Sequence, residues 1–143
     1  MNEHTIISGY KILNLALLES HFERASTITF DLEKVSRNSE TSIDIQKISD
    51  EQVLVTETLT FSQTFENINE FSVKIKMIGV FEKQGETDLS IDNFAKINAP
   101  AIIYPYIREH LSNLTTKAAV GTILLAPYNF IIKESEITED EKV

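Results

Sequence analysis

The stretch over residues 98–118 constrains the fold more than any other part of the chain. Ala99, Ile102, Ile103, Tyr106, Ile107, His110, Leu111, Leu114 and Ala118 recur at three- and four-residue steps. That spacing places them on one face of a long helix. Pro100 suits a first helical position, where a missing N–H costs nothing. Pro105 lies inside the pattern, so a kink or a restart is expected there. Thr115 to Lys117 end the stripe, and Gly121 punctuates the exit. Tyr104 and Tyr106 are two apart and so point to different sides of the helix. Two apolar sides need two covers: a sheet, and either a partner subunit or a ligand.

The preceding chain supplies the sheet. Residues 10–18 read as a first strand, which the polar cluster 19–24 breaks. Residues 26–35 read as a clean second strand, with Ile28, Phe30 and Leu32 on one face and Thr27, Thr29, Asp31 and Glu33 on the other. Residues 37–40 read as a turn and 41–48 as a short strand. In residues 50–65, Val53, Val55, Leu59 and Phe61 alternate with Leu54, Thr56, Thr58, Thr60 and Ser62. Residues 66–70 read as a turn. Residues 71–81 close the set with Phe71, Val73, Ile75, Met77 and Phe81 on one face. A short helix is expected within 88–97, on Leu89, Ile91, Phe94 and Ile97. Strands first and helices after indicate an α+β fold: an antiparallel sheet of about four strands with one long helix packed on one face. Residues 1–132 are expected to form a single domain, and 133–143, rich in Glu and Asp, a mobile acidic tail.

Composition narrows the function. The chain has 143 residues, 42% of them apolar, which suits one domain with a real core. It holds no Cys, so disulfides, thiol catalysis and thiolate metal sites are excluded. With 13 basic and 22 acidic residues its net charge is −9, the wrong sign for a nucleic-acid binder. No apolar run approaches the roughly 20 residues that span a bilayer, and no basic-then-apolar leader opens the chain, so a cytoplasmic protein without membrane insertion is expected. There is no phosphate loop, nucleophile elbow or His-Glu metal spacing, so neither cofactor nor metal is expected. Of the three histidines, His110 falls on the helix stripe and reads as a packing residue.

Pro100, Ile102-Ile103, Tyr104-Pro105-Tyr106 and Arg108-Glu109 together resemble the helix of the bacterial export chaperone family SecB. Leu125-Ala126-Pro127-Tyr128-Asn129-Phe130 is similar to that family's Leu-Ala-Pro-x-Asn-Phe segment. The resemblance implies a non-enzymatic, ATP-independent holdase, in which unfolded preproteins lie in apolar grooves between helix and sheet. It implies a homo-oligomer, with dimers stacking into a tetramer. Phe22, Phe71, Val73, Ile75, Phe94, Ile103, Tyr104, Tyr106 and Ile107 are the groove or interface residues it suggests. Glu19, Phe22 and Glu23 match a family segment whose two acids contact the motor ATPase SecA, which makes Glu19 and Glu23 the SecA-contact candidates.

The chain departs from the family in two places. Ser72 and Lys74 stand where the family offers SecA an apolar residue and an acid. After Phe130, Ile131 and Ile132 run straight into the acidic tail, so the family's second helix looks truncated or lost. Two alternatives follow: a SecB-like chaperone dedicated to an antitoxin or other specific client without SecA binding, or a small enzyme of the hot-dog sort that uses His110 with Glu109.

Overall fold

A computed structural model describes residues 9–127. The acidic tail, the last three residues of the Leu-Ala-Pro-Tyr-Asn-Phe segment and the run past Phe130 lie outside the described residues.

Four strands form one antiparallel sheet: β1 (Tyr10–Arg24), β2 (Ser36–Lys47), β3 (Gln52–Phe65) and β4 (Ile68–Lys83), in the spatial order β1-β4-β3-β2. β3 and β4 are central. Their alternating apolar residues Val53, Val55, Leu59 and Phe61, and Phe71, Val73, Ile75, Met77 and Phe81, are buried on one face. The β3–β4 hairpin turns on Glu66 and Asn67, with φ of 50° and 65°. A two-residue turn with both φ positive matches the twist of the flanking strands, so pairing resumes at once at Ile68.

The edge strands are longer than their composition suggests. β1 runs on through the polar cluster 19–24, pairing Glu19 with Lys76, His21 with Lys74 and Glu23 with Ser72. The residues expected to turn, Arg37 to Glu40, pair with Gln63 to Thr60 within β2. The alternating segment 26–35 is instead the crossover from one edge of the sheet to the other. Ile28 is buried, but Phe30 is 68% exposed and Leu32 58%. With β4 and β3 already filling the centre, this segment has no strand to pair with. It is held by Glu70, whose carboxylate accepts from the Thr29 N–H at 3.1 Å, from the Thr29 hydroxyl at 2.8 Å and from Gln63 Nε2 at 2.8 Å.

After β4 a short helical turn (Ile91–Asn93) is capped by the Ser90 hydroxyl, which accepts from the Asn93 N–H at 3.2 Å. A single π-helical stretch (Phe94–Asn98) follows, and then the long helix (Ala99–Lys117). That helix continues through Pro105 without restarting. It ends on Ala119, at φ 57°, with the Val120 N–H reaching back to the Thr115 carbonyl at 3.3 Å. This is the left-handed helix exit that glycine usually serves, made here by alanine two residues before Gly121.

Candidate functional site: the helix–sheet interface and its flanks

The buried face of the long helix carries Ala99, Ile103, Tyr104, Ile107, Leu111 and Thr115. Gly79 sets how close it can come to the sheet. A Cβ at this position would stand 2.7 Å from the Phe81 ring and 3.2 Å from Ile103 Cδ1, so only glycine leaves room for both. At the start of the helix Tyr10 stacks on Phe94 at 3.9 Å, and Phe94 meets Phe81 edge-on at 5.2 Å. At its end the Arg24 guanidinium donates to the Ala118 carbonyl and, at 3.1 Å, to that of Ser26.

The expected groove residues separate into three sets. Phe71, Val73, Ile75, Phe94, Ile103 and Ile107 are buried in the interface itself. Phe22 is half-buried at the β1 edge, stacked on Phe71 at 6.0 Å. Tyr104 and Tyr106 part as their spacing requires: Tyr104 is 6% exposed and Tyr106 48%.

Tyr104 reaches open space. It lines a cavity of about 330 Å³ with Ser39, Glu40, Thr41, Ser42, Thr58 and Thr60. Hydroxyl groups thus dominate a wall that the resemblance led us to expect apolar. β2 borders this cavity, and among the described residues it pairs only with β3, so no described strand lies along its outer edge. Residues 121–127 return along the helix. Ser112 Oγ donates to the Ile123 carbonyl at 2.9 Å, Arg108 Nε to that of Leu125 at 2.8 Å, and the Tyr104 hydroxyl to that of Ala126 at 2.9 Å.

The SecA-contact candidates lie on the opposite, uncovered face. Glu19 faces two cations, Lys74 Nζ at 3.4 Å and Lys76 Nζ at 3.9 Å, and Glu23 lies 3.9 Å from His21 Nε2. The residues of the enzyme alternative do not converge. His110 Nε2 pairs with Ser20 Oγ at 2.7 Å, while Glu109 accepts from Asn113 Nδ2 at 3.1 Å. Among the described residues no cluster of three or more His, Cys, Asp or Glu could hold a metal ion, and no helix is long and apolar enough to cross a membrane.

Glu57 follows Val53 and Val55 in the two-residue rhythm of β3, yet the apolar reading skips from Val55 to Leu59. Period-two alternation alone puts Glu57 on the covered face. It is 0% exposed, and among the described residues neither carboxyl oxygen has a hydrogen-bond partner. Burial pushes its pKa up to about 8.

The SecB family, described as preprotein translocase subunit SecB, matches residues 19–132. The chain is 33% identical over 79 residues to the protein-export protein SecB of Methylobacillus flagellatus, a match covering 55% of this chain and 49% of that one. It is 24% identical over 132 residues to that of Herminiimonas arsenicoxydans, covering 91% and 80%. The chain therefore spans about half the length of the first of these relatives and most of the second. In fold it is similar to the Mycobacterium tuberculosis SecB-like chaperone Rv1957, solved in complex with a ChAD peptide from the Rv1956 HigA1 antitoxin. That likeness has a TM-score of 0.68 at 15% identity and covers 88% of this chain and 95% of that one. With this match across most of its length and a helix laid on a four-stranded sheet, the chain belongs to the SecB family of chaperones.

Proposed function

We propose that the protein is a non-enzymatic, ATP-independent holdase that keeps client polypeptides unfolded and soluble in the cytoplasm. The observation that carries this reading is the cavity between Tyr104 and β2, beside the outer edge of that strand. An extended client segment can set a side chain against Tyr104 and offer its backbone to the Ser and Thr hydroxyls. Contacts of this kind read no sequence, which suits promiscuous, reversible holding. Export of preproteins is the role that the family's description supports. Homo-oligomers, as dimers or dimers of dimers, are supported by β1. No described strand lies along its outer edge, and Ile12, Leu13, Leu17 and Leu18 are exposed on it.

One observation favours a second reading, a chaperone kept for one client such as an antitoxin. The SecA contact implied by resemblance needs acids, and here Glu19 is already matched by Lys74 and Lys76. A cation where the partner meets anions lowers affinity for it.

The test is light scattering of a chemically unfolded, slowly folding polypeptide diluted into the purified protein without ATP. Suppression of aggregation at about one client per oligomer, weakened by filling the cavity with Thr41→Tyr, is the expected result. No suppression at any ratio overturns general holding. SecA binding by the same preparation then separates export from the dedicated role.

A further inference from the structure

The most anomalous group in the molecule is Glu57. Its row on the covered face is Ile43 on β2 and Met77 on β4. Its neighbours along β3 on that face are Val55 and Leu59, both fully buried. Along its middle the long helix buries Ile103, Tyr104, Ile107 and Leu111. The one titratable group among them is Tyr104, whose hydroxyl donates to the Ala126 carbonyl.

The charged groups of the packed elements are engaged elsewhere or, like Glu40, Asp44 and Lys117, exposed. Arg37 Nε donates to Gln63 Oε1 at 2.9 Å, Arg24 holds the Ala118 carbonyl, Arg108 holds that of Leu125, and His110 meets Ser20. Lys47 lies 3.8 Å from Asp50. Asp92 and Lys96, on the turns before the helix, are exposed. Nothing among the described residues supplies Glu57 with a counter-charge or a donor.

We propose that Glu57 makes the seating of the long helix proton-dependent: with the carboxyl protonated the helix closes over β3, and loss of that proton drives the helix–sheet interface open. The physical reason is desolvation. A carboxylate buried among Ile, Met, Val and Leu, with no donor or cation facing it among the described residues, loses its hydration on closing, so the closed state favours the neutral acid. When the helix lifts, water reaches the group and the proton leaves to solvent. Closing is then the uptake of one proton, and opening its release. The opening constant therefore rises about tenfold per pH unit above the ordinary carboxylate range and flattens near pH 8, where the closed state itself ionises. Mildly alkaline conditions loosen the site and mildly acidic conditions seal it. The consequence for client capture rests on the holdase reading; the latch does not.

The experiment is amide hydrogen exchange on the full chain, corrected for the intrinsic pH dependence of exchange and read at helix residues 103–111 and at Val55 and Leu59. It is run from pH 6 to 8.5 on the natural protein and on the neutral variants Glu57→Gln and Glu57→Met. The expected result is an opening constant that rises close to tenfold per unit up to about pH 7.5 in the natural protein and is flat in both variants. A flat natural profile, or the same slope in the variants, overturns the latch. So does a Glu57 carboxyl resonance that titrates in the ordinary carboxylate range. Client capture is followed by light scattering over the same pH range. Absence of capture in a protein that keeps the exchange slope overturns the holdase reading and leaves the latch standing.

Discussion

At the turn end of the β3–β4 hairpin, Glu70 is buried and receives donors from Thr29 and Gln63. Further along β3, Glu57 is buried more deeply still and, among the described residues, receives none. Burial pushes the Glu70 pKa up, but the hydrogen bonds from Gln63 and Thr29 outweigh it, and the net shift is down. At Glu57 burial acts alone and the pKa rises to about 8. The same side chain in the same sheet thus serves two ends. Glu70 fastens a crossover that has no strand to pair with. Glu57 weakens the place where the helix meets the sheet. The surroundings decide, not the residue type: a charge that is fully hydrogen-bonded specifies structure, and an orphan destabilises it.

The largest expected effect sets the two against each other through pH. Glu57 has a folded pKa raised above the unfolded value, so the stability it permits is fully present below about pH 4.5 and is lost as pH climbs towards 8. Over that window the loss is about 5 kcal/mol at about 1.4 kcal/mol per unit. Glu70 runs the other way. Its folded pKa is lowered, so its contribution is present above the unfolded value and is lost as pH falls through the folded one. Urea denaturation across pH should show an alkaline decline that Glu57→Met removes and an acid decline that Glu70→Gln reduces. A decline unchanged by Glu57→Met would break the contrast at its root.

Next in size is Glu70→Ala at neutral pH. It strands the Thr29 N–H, the Thr29 hydroxyl and the Gln63 amide together. A buried neutral donor left without its acceptor costs about 1–3 kcal/mol, and here three lose theirs at once. The loss should appear as a lower urea midpoint with early proteolytic cleavage within 25–35. Gln63→Leu is milder, because Thr29 still serves Glu70; about 1–2 kcal/mol is expected in the same assay.

These two carboxylates also mark what could be read from the sequence. The central strands were legible because a strand buried on one face must alternate, and β3 and β4 do so from Val53 to Phe61 and from Phe71 to Phe81. The long helix was legible from its stripe. The edges were not. β1 continues through Glu19 to Arg24, and β2 starts within Ser36 to Glu40, because an edge strand facing solvent tolerates polar residues that look like a break. The cleanest alternation outside the centre, Ile28-Phe30-Leu32, is not a strand at all. Its edges lie about 14 Å apart at about 4.8 Å per strand spacing, and Thr29, bound to Glu70, is where the crossing is pinned. That pin joins positions 41 apart, and no local pattern announces it. Glu57 was legible in principle, since the rhythm of β3 points it inward, but an apolar reading has no place for a buried acid. In the candidate site, the spacing of Tyr104 and Tyr106 foretold their opposite exposures, while the hydroxyl-lined wall depends on β2 being a full edge strand.

The smallest expected effect on stability concerns a third carboxylate, Glu19, which is partly exposed and paired with Lys74 and Lys76. Exposed pairs contribute little, so Lys76→Ala should move the urea midpoint by less than about 0.5 kcal/mol. Partner choice is where this pair matters. Lys74→Glu removes the nearer cation and places an acid where the resemblance expects one. If the lysines are what exclude SecA, this variant should bind SecA measurably more tightly than the natural protein at low salt, and the gain should shrink as salt rises. Equal binding by the two proteins would mean that Glu19 is held by its lysines without consequence for SecA. The dedicated-client reading would then lose the observation that favours it.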